Sequence, residues 1–506
     1  MSEHSAGLLA NRTSVTGSLA CGLIRPRLRL PVTGVLGPLA AVFPREAAAH
    51  ASEGGFVMLL PTDIYIGSGA LVVALTFVFS ALVPRIAADR LSRQITLFRL
   101  PRINPLVTSI ISLALLSLII LAGFIASPRP TLNPLPNTIW TVWWVGFVFA
   151  TLLLGNIWAY LNPWEGLHWL MGGVPGVDRW VRNPPLPYPA ALGQWPAVVL
   201  LACFGWFELI YPAPYDPERL AITVLVYIGI TAGGMLFFGK SAWLAHGETF
   251  SVYFRMLSWL APLSGFRAKI SAPPTNPRDE VRVGLPGAQL LGLGAIPISG
   301  TVFILLALSI VSFDGLSDTI WWLALIGVNP LEFPGRSAVV LANTLGLAAS
   351  FFVIGGAYVL AVILGLKLAG DEGSLRRSLG RFVVAILPIA LGYHVAHYLP
   401  AFLIDIQWAM VALSDPFAMG WDLLGFRDHF VTGWMLNNFY AVRVIWNVQA
   451  GVVVLAHVVG VIATHLIELQ VSHSPRTAIV RQLPMTVLMV AYTAFGLWLL
   501  STPTGV

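Results

Sequence analysis

Ten stretches of apolar residues, each about 20 long, recur near 64–84, 106–126, 139–161, 195–211, 220–238, 291–312, 338–366, 382–404, 444–467 and 485–501. No other feature constrains the fold as tightly. A segment of that length crosses hydrocarbon only if every backbone N–H and C=O is satisfied within the protein, which an α-helix achieves by itself. The expected architecture is an all-α, polytopic membrane helix bundle. The balance of residues agrees: 57% are hydrophobic and only 10% charged, against about 25% charged in ordinary soluble domains.

Arginine and lysine set the expected orientation. Arg85, Arg90, Arg93, Arg99 and Arg102 follow the first span, and Lys240, Arg255, Arg267, Lys269, Arg278 and Arg282 follow the fifth. Further basic residues, including Arg179, Arg182, Lys367, Arg376, Arg377, Arg381, Arg476 and Arg481, fall on the same side when the spans alternate. By the positive-inside rule that side is cytoplasmic. The formal charge of +6 therefore reflects topology, and basic residues scattered over several loops, with no stripe of interleaved aromatics, argue against a nucleic-acid partner.

A first span running inward requires the segment before it to be exported. Arg25, Arg27 and Arg29 precede the apolar run Leu30 to Phe43, and Ala47-Ala48-Ala49 offers the small residues of a cleavage site. Residues 1–49 are thus expected to be a signal segment and 50–506 a single membrane domain beginning at His50; an uncleaved anchor, adding an eleventh span, is the alternative. Cys21 falls in the leader and Cys203, read as a small core residue, in the fourth span, which leaves the mature chain no disulfide. In the cytoplasmic connection 239–290, Ala272-Pro273-Pro274-Thr275-Asn276-Pro277 reads as an extended linker. The aromatic stretch Glu248 to Leu263 reads as a helix lying on the inner leaflet.

Chemistry is expected where ionisable groups sit at membrane depth, because burying them there is costly. His394 and His397 are three residues apart and share one helical face, and His457 lies within the ninth span. If those spans pack together, the three imidazoles suit zinc or copper, with His50 a further ligand and Asp405 or Asp428 accepting a proton. Such a site opens away from the arginine-rich side. Each residue also has a structural reading: helix-to-helix hydrogen bonding for His394, His397 and His457, and solvation at the cytoplasmic end for His465, His473 and Glu468. Glu208 is placed either in the site or at the interface. Asn162-Pro163-Trp164 reads as a helix stop with an interfacial Trp, and Trp421, Trp434 and Trp446 are candidates for lining an apolar vestibule.

Several stretches resemble one bacterial membrane family: Ala49-His50, Leu60-Pro61-Thr62-Asp63, Asn162-Pro163-Trp164, Gly392 to Leu399, Ser414-Asp415-Pro416-Phe417 with Gly420-Trp421-Asp422, and Gln482 to Leu500. That family is the integral membrane fenitrothion hydrolases. The resemblance implies hydrolysis of an apolar organophosphate triester in the bacterial inner membrane, with the site on the periplasmic side and a related membrane subunit as possible partner. A metal held by His394, His397 and His457 would activate water for that reaction. The residues alone leave two rivals open: a haem or copper redox protein and a metal transport or delivery protein.

Overall fold

The computed structural model describes residues 62–83, 90–101, 104–265, 278–330, 335–371, 373–426, 430–472 and 474–502. The leader, His50, the Pro-rich stretch 272–277, Asp428 and His473 lie outside them.

Ten helices among the described residues are long and apolar enough to cross a membrane. They are α1 (Thr62–Ser80), α2 (Pro105–Ile125), α3 (Pro134–Leu154), α4 (Ala190–Leu209), α5 (Pro217–Phe238), α6 (Ile298–Ser317), α7 (Arg336–Leu368), α8 (Leu375–Ser414), α9 (Phe439–Val471) and α10 (Pro475–Ser501). The chain is a multi-pass membrane protein. Its outward surface is that of a helix bundle solvated by lipid: Leu71, Phe79, Ile111, Val226, Leu341 and Phe352 are exposed. The interior belongs to α6 and α8, whose most apolar windows are 72% and 78% buried, whereas α1, α2, α4 and α7 are only 17–22% buried. The other largely buried span is α9, at 56%.

Small residues bring the central helices together. A Cβ at Gly392 of α8 would lie 2.4 Å from Ala456 Cβ of α9, and one at Gly460 of α9 would lie 2.7 Å from the Ala385 carbonyl oxygen. Backbones this close depend on the absent side chain. The middle of α3 departs from α-helix: Asn137–Gly146 is π-helical, and the Phe147 N–H reaches back to the Val142 carbonyl. Asn133 and Asn137 pin its entrance by donating to the carbonyls of Ala122, Ser127, Pro130 and Thr131. The wider coil buries Trp140 and Trp144 towards α4 and α8.

Two connections differ from the sequence expectation. The stretch after Glu248 forms a helix, Thr249–Ser258, but eight of its ten residues are buried. It wedges between α3 and α4, where Phe250 and Phe254 meet Trp143 and Phe204 meets Phe250. The reason is how narrow its polar face is: Ser251, Arg255 and Ser258 share one stripe, and the aromatic and aliphatic residues that cover the rest must be buried. Its two charges are compensated locally, Glu248 by the N–H groups of Phe250 and Ser251 and by the Tyr227 hydroxyl, Arg255 by the carbonyls of Leu244 and Ala245.

The other difference is a small antiparallel sheet of β1 (Ile95–Pro101), β2 (Leu263–Ser264) and β3 (Arg278–Val283), in the order β1-β3-β2. It joins the two most basic connections. Arg99 and Arg282 both reach Glu280, each with a closest contact of 2.8 Å, so part of the positive charge there is neutralised. Cys203, expected in the core, is exposed on the apolar surface of α4. Trp164, expected at the interface, is buried, because Asn162 ties the turn by accepting from the Trp164 N–H at 3.2 Å and donating to the Trp158 carbonyl at 2.9 Å.

Candidate acid–base centre

The centre forms where α4, α6 and α8 meet, at the bundle end opposite the arginine-rich loops. Glu208 is one residue before the end of α4, and Asp314 is three before the end of α6. The adjacent His397 and Tyr398 face them from α8. His397 Nε2 lies 2.9 Å from Asp314 Oδ2. The Tyr398 hydroxyl lies 2.7 Å from Glu208 Oε1 and 2.7 Å from Asp314 Oδ2. Arg336, the first residue of α7, donates to the Glu208 backbone carbonyl at 2.8 Å and so closes the last turn of α4.

Donor counting makes this cluster unusual. A phenol has one proton and can donate to only one carboxylate at a time. With two carboxyl oxygens at equal hydrogen-bond distance, full satisfaction requires the second carboxyl to carry a proton and donate it to the phenol oxygen. The His397 ring adds another exchangeable proton on Asp314. Four side chains from three helices thus share protons in a buried setting. Glu208 is 9% exposed, whereas the His397 side chain is 30% exposed, which gives the cluster a way out. Asp318 stands one residue beyond α6; its carboxyl is pushed above the ordinary range, by burial first and by the charge of Asp314 second.

His394 lies one turn earlier on α8 and faces elsewhere. Its ring meets Trp144 edge-on at 5.0 Å and Tyr398 at 4.7 Å. Nε2 is buried and has no hydrogen-bond partner among the described residues. It borders a cavity with Trp144, Tyr253, Phe303, Leu387 and Tyr398 that has room for about one water molecule. That space is too small for an organic substrate.

His457 is separate again. The spans α8 and α9 do pack against each other, as convergence of the histidines required, but the His457 ring stands between Tyr393 and Tyr492, at 6.1 and 6.2 Å. Nδ1 is 2.8 Å from the Val453 carbonyl oxygen of its own helix. His394 and His397 thus share Tyr398, their rings lying 4.7 and 4.8 Å from it, whereas His457 stands against Tyr393 and Tyr492. No three His, Cys, Asp or Glu side chains among the described residues are grouped to hold a metal ion.

The remaining expected residues divide similarly. Asp405 is half-buried on α8, and with Glu208, Asp314 and Arg336 it lies within electrostatic reach of Tyr215. Asp415 and Asp422 organise their own loop: Asp415 accepts from the N–H groups of Met419 and Gly420, and Asp422 from the Ser414 hydroxyl. This explains the Ser414–Asp422 motif as a self-closed turn. His465 and Glu468, expected in solvent, are both 1% exposed. Glu468 Oε2 pairs at 3.1 Å with Arg481, which also reaches Asp371 at 3.3 Å. The sequence reading missed Asp314 and the part played by Tyr398. An acidic residue within one turn of a span end was the available signal.

No family model, curated protein or solved structure matches the chain.

Proposed function

We propose that this protein handles protons within the membrane, as a carrier that lets protons run down an imposed gradient without a co-substrate, with Glu208, Asp314, His397 and Tyr398 as its acid–base centre. The observation that carries the reading is the single phenol held 2.7 Å from two carboxylates while a histidine pairs with one of them. Buried Asp, Glu and His side chains within spans are characteristic of proton relays and coupled transport, because their burial otherwise has no return. The charge bias of the loops supports placing the centre at the outer face of a bacterial cytoplasmic membrane. The test is an imposed pH gradient across liposomes containing purified protein, read with an internal pH dye. Wild type should dissipate the gradient and Asp314→Asn should not; equal rates for the two, or no proton movement in wild type, overturn the reading.

A second reading, hydrolysis of an apolar ester such as an organophosphate triester, is favoured by the Asp314–His397 pair. A carboxylate that orients an imidazole can make it a general base towards water, and the exposed part of His397 can be reached from outside the bundle. This reading needs no metal step. Release of the phenol from a phosphotriester by the purified protein, lost in His397→Gln, tests it; no turnover in wild type removes it.

A further inference from the structure

The buried polar residues of the central bundle do not stop at the acid–base centre. Two residues before Asp314 on α6, Ser312 hydrogen-bonds through its hydroxyl to Tyr492 of α10. The Tyr393 hydroxyl, one turn before His397 on α8, donates to the Tyr492 carbonyl at 2.6 Å. Tyr393 and Tyr492 flank His457. From His457 a polar stripe continues along α9 through Thr464 and His465 to Glu468, all buried. The eleven residues from His457 to Glu468 make about three turns, so both lie on one face about 16 Å apart. At the far end Glu468 pairs with Arg481, which also reaches Asp371 and donates to the Ser378 hydroxyl.

His457 has the chemistry of an intermediate station. A backbone carbonyl only accepts hydrogen bonds, so the 2.8 Å contact to Val453 assigns the ring proton to Nδ1. In the neutral ring Nε2 is then a bare lone pair. It is fully buried and has no partner among the described residues. It can take up one proton to give the imidazolium and release the same proton from the same nitrogen, leaving the ring unchanged. Apolar side chains pack beside this stripe: Val461, Met485 and Met489 are all 1–2% exposed, and the Met489 methyl lies 3.7 Å from a Cβ built at Gly460.

We propose that His457 relays protons between the Glu208–Asp314–His397–Tyr398 centre and the Glu468–Arg481 cluster, so that the α9–α10 face forms a proton path through the bundle. The inference rests on the proton-carrier reading above.

The experiment uses the full chain in liposomes under an imposed pH gradient, comparing wild type, Asp314→Asn and His457→Gln, with thermal melting to confirm folding. Glutamine can keep the hydrogen bond to Val453 but cannot carry a proton at neutral pH. The expected result is a fall in proton flux of about tenfold or more in His457→Gln, while the infrared carboxyl band that disappears in Asp314→Asn persists. If wild type moves protons and folded His457→Gln moves them equally fast, the relay is overturned and the proton-carrier reading stands. If wild type moves none, the proton-carrier reading itself falls. Should His457→Gln fail to fold, Thr464→Val on the same stripe takes its place: reduced flux supports the path and unchanged flux overturns it.

Discussion

Asp314 holds His397 at 2.9 Å across the interface between the two most buried spans, α6 and α8. Each residue makes the other's burial tolerable: the carboxylate accepts from the imidazole and fixes its orientation, and the imidazole provides the carboxylate with a donor. The pair therefore ties helix packing to protonation state.

Asp314→Asn should leave the protein folded but remove the chemistry. The amide can still accept a hydrogen bond from His397 but no longer pairs with its charge. We expect proton flux, or hydrolysis if that is the activity, to fall by about 100-fold, within the usual range for loss of an acid–base partner. Asp314→Glu should recover only part of it.

Tyr398→Phe tests the sharing of the phenol. Removing the hydroxyl leaves two carboxyl oxygens without their common partner and should destabilise the protein by about 1–3 kcal/mol. A double-mutant cycle with Glu208→Gln should give a coupling above about 0.5 kcal/mol by chemical denaturation in detergent. Additive effects would show that the two side chains act independently.

Asp318 should leave a signature in the pH dependence of stability. Its carboxyl is pushed above the ordinary range in the folded protein, so the native state holds the proton more tightly than the unfolded chain does. Its contribution favours folding at low pH and is lost as pH rises from the usual carboxylate value, about 4, through the raised folded value. Melting curves across that interval should show the decline in wild type and a flatter profile in Asp318→Asn.

Arg481→Leu should be among the most damaging single changes in the chain. It leaves Glu468 buried and unpaired, a loss of about 3–5 kcal/mol when one partner of a buried pair is removed. The double variant Glu468→Leu with Arg481→Leu should melt higher than the single one, because no isolated charge remains.

Much of this fold is written in its apolar lengths. Ten spans could be read directly, because a membrane helix satisfies its own hydrogen bonds and needs no partner to be recognised. The centre could be read only in part. His394 and His397 stand out as costly groups, but which helix faces them is decided by packing around Gly392 and by the π-helical turn beside Trp144, and neither leaves a local pattern. Asp314 was overlooked because the apolar run at 291–312 begins before the helix does: Gly292, Gly294 and Pro297 keep that stretch out of the span, which starts at Ile298 and so carries Asp314 inside its last turn. The histidine count pointed to one metal centre; the spacing could not say that His394 and His397 share Tyr398 while His457 stands with Tyr393 and Tyr492. The sheet was missed for a simpler reason. Its strands are short, and the alternation in Ile95–Leu100 and Arg278–Val283 is slight beside the surrounding helices.

That sheet also constrains how the molecule is made. Arg99 and Glu280 are separated by 181 residues, so β1 leaves the ribosome roughly 10–40 s before the strand that completes it. Throughout that interval β1 has an open edge, and it can be capped only when five helices have entered the bilayer and their loops have arrived on a common side. A chain inserted with one helix missing or inverted would bring β3 to the wrong surface and leave the seam unclosed, so the smallest element of the fold serves as a test of whether the first half of the bundle was threaded correctly.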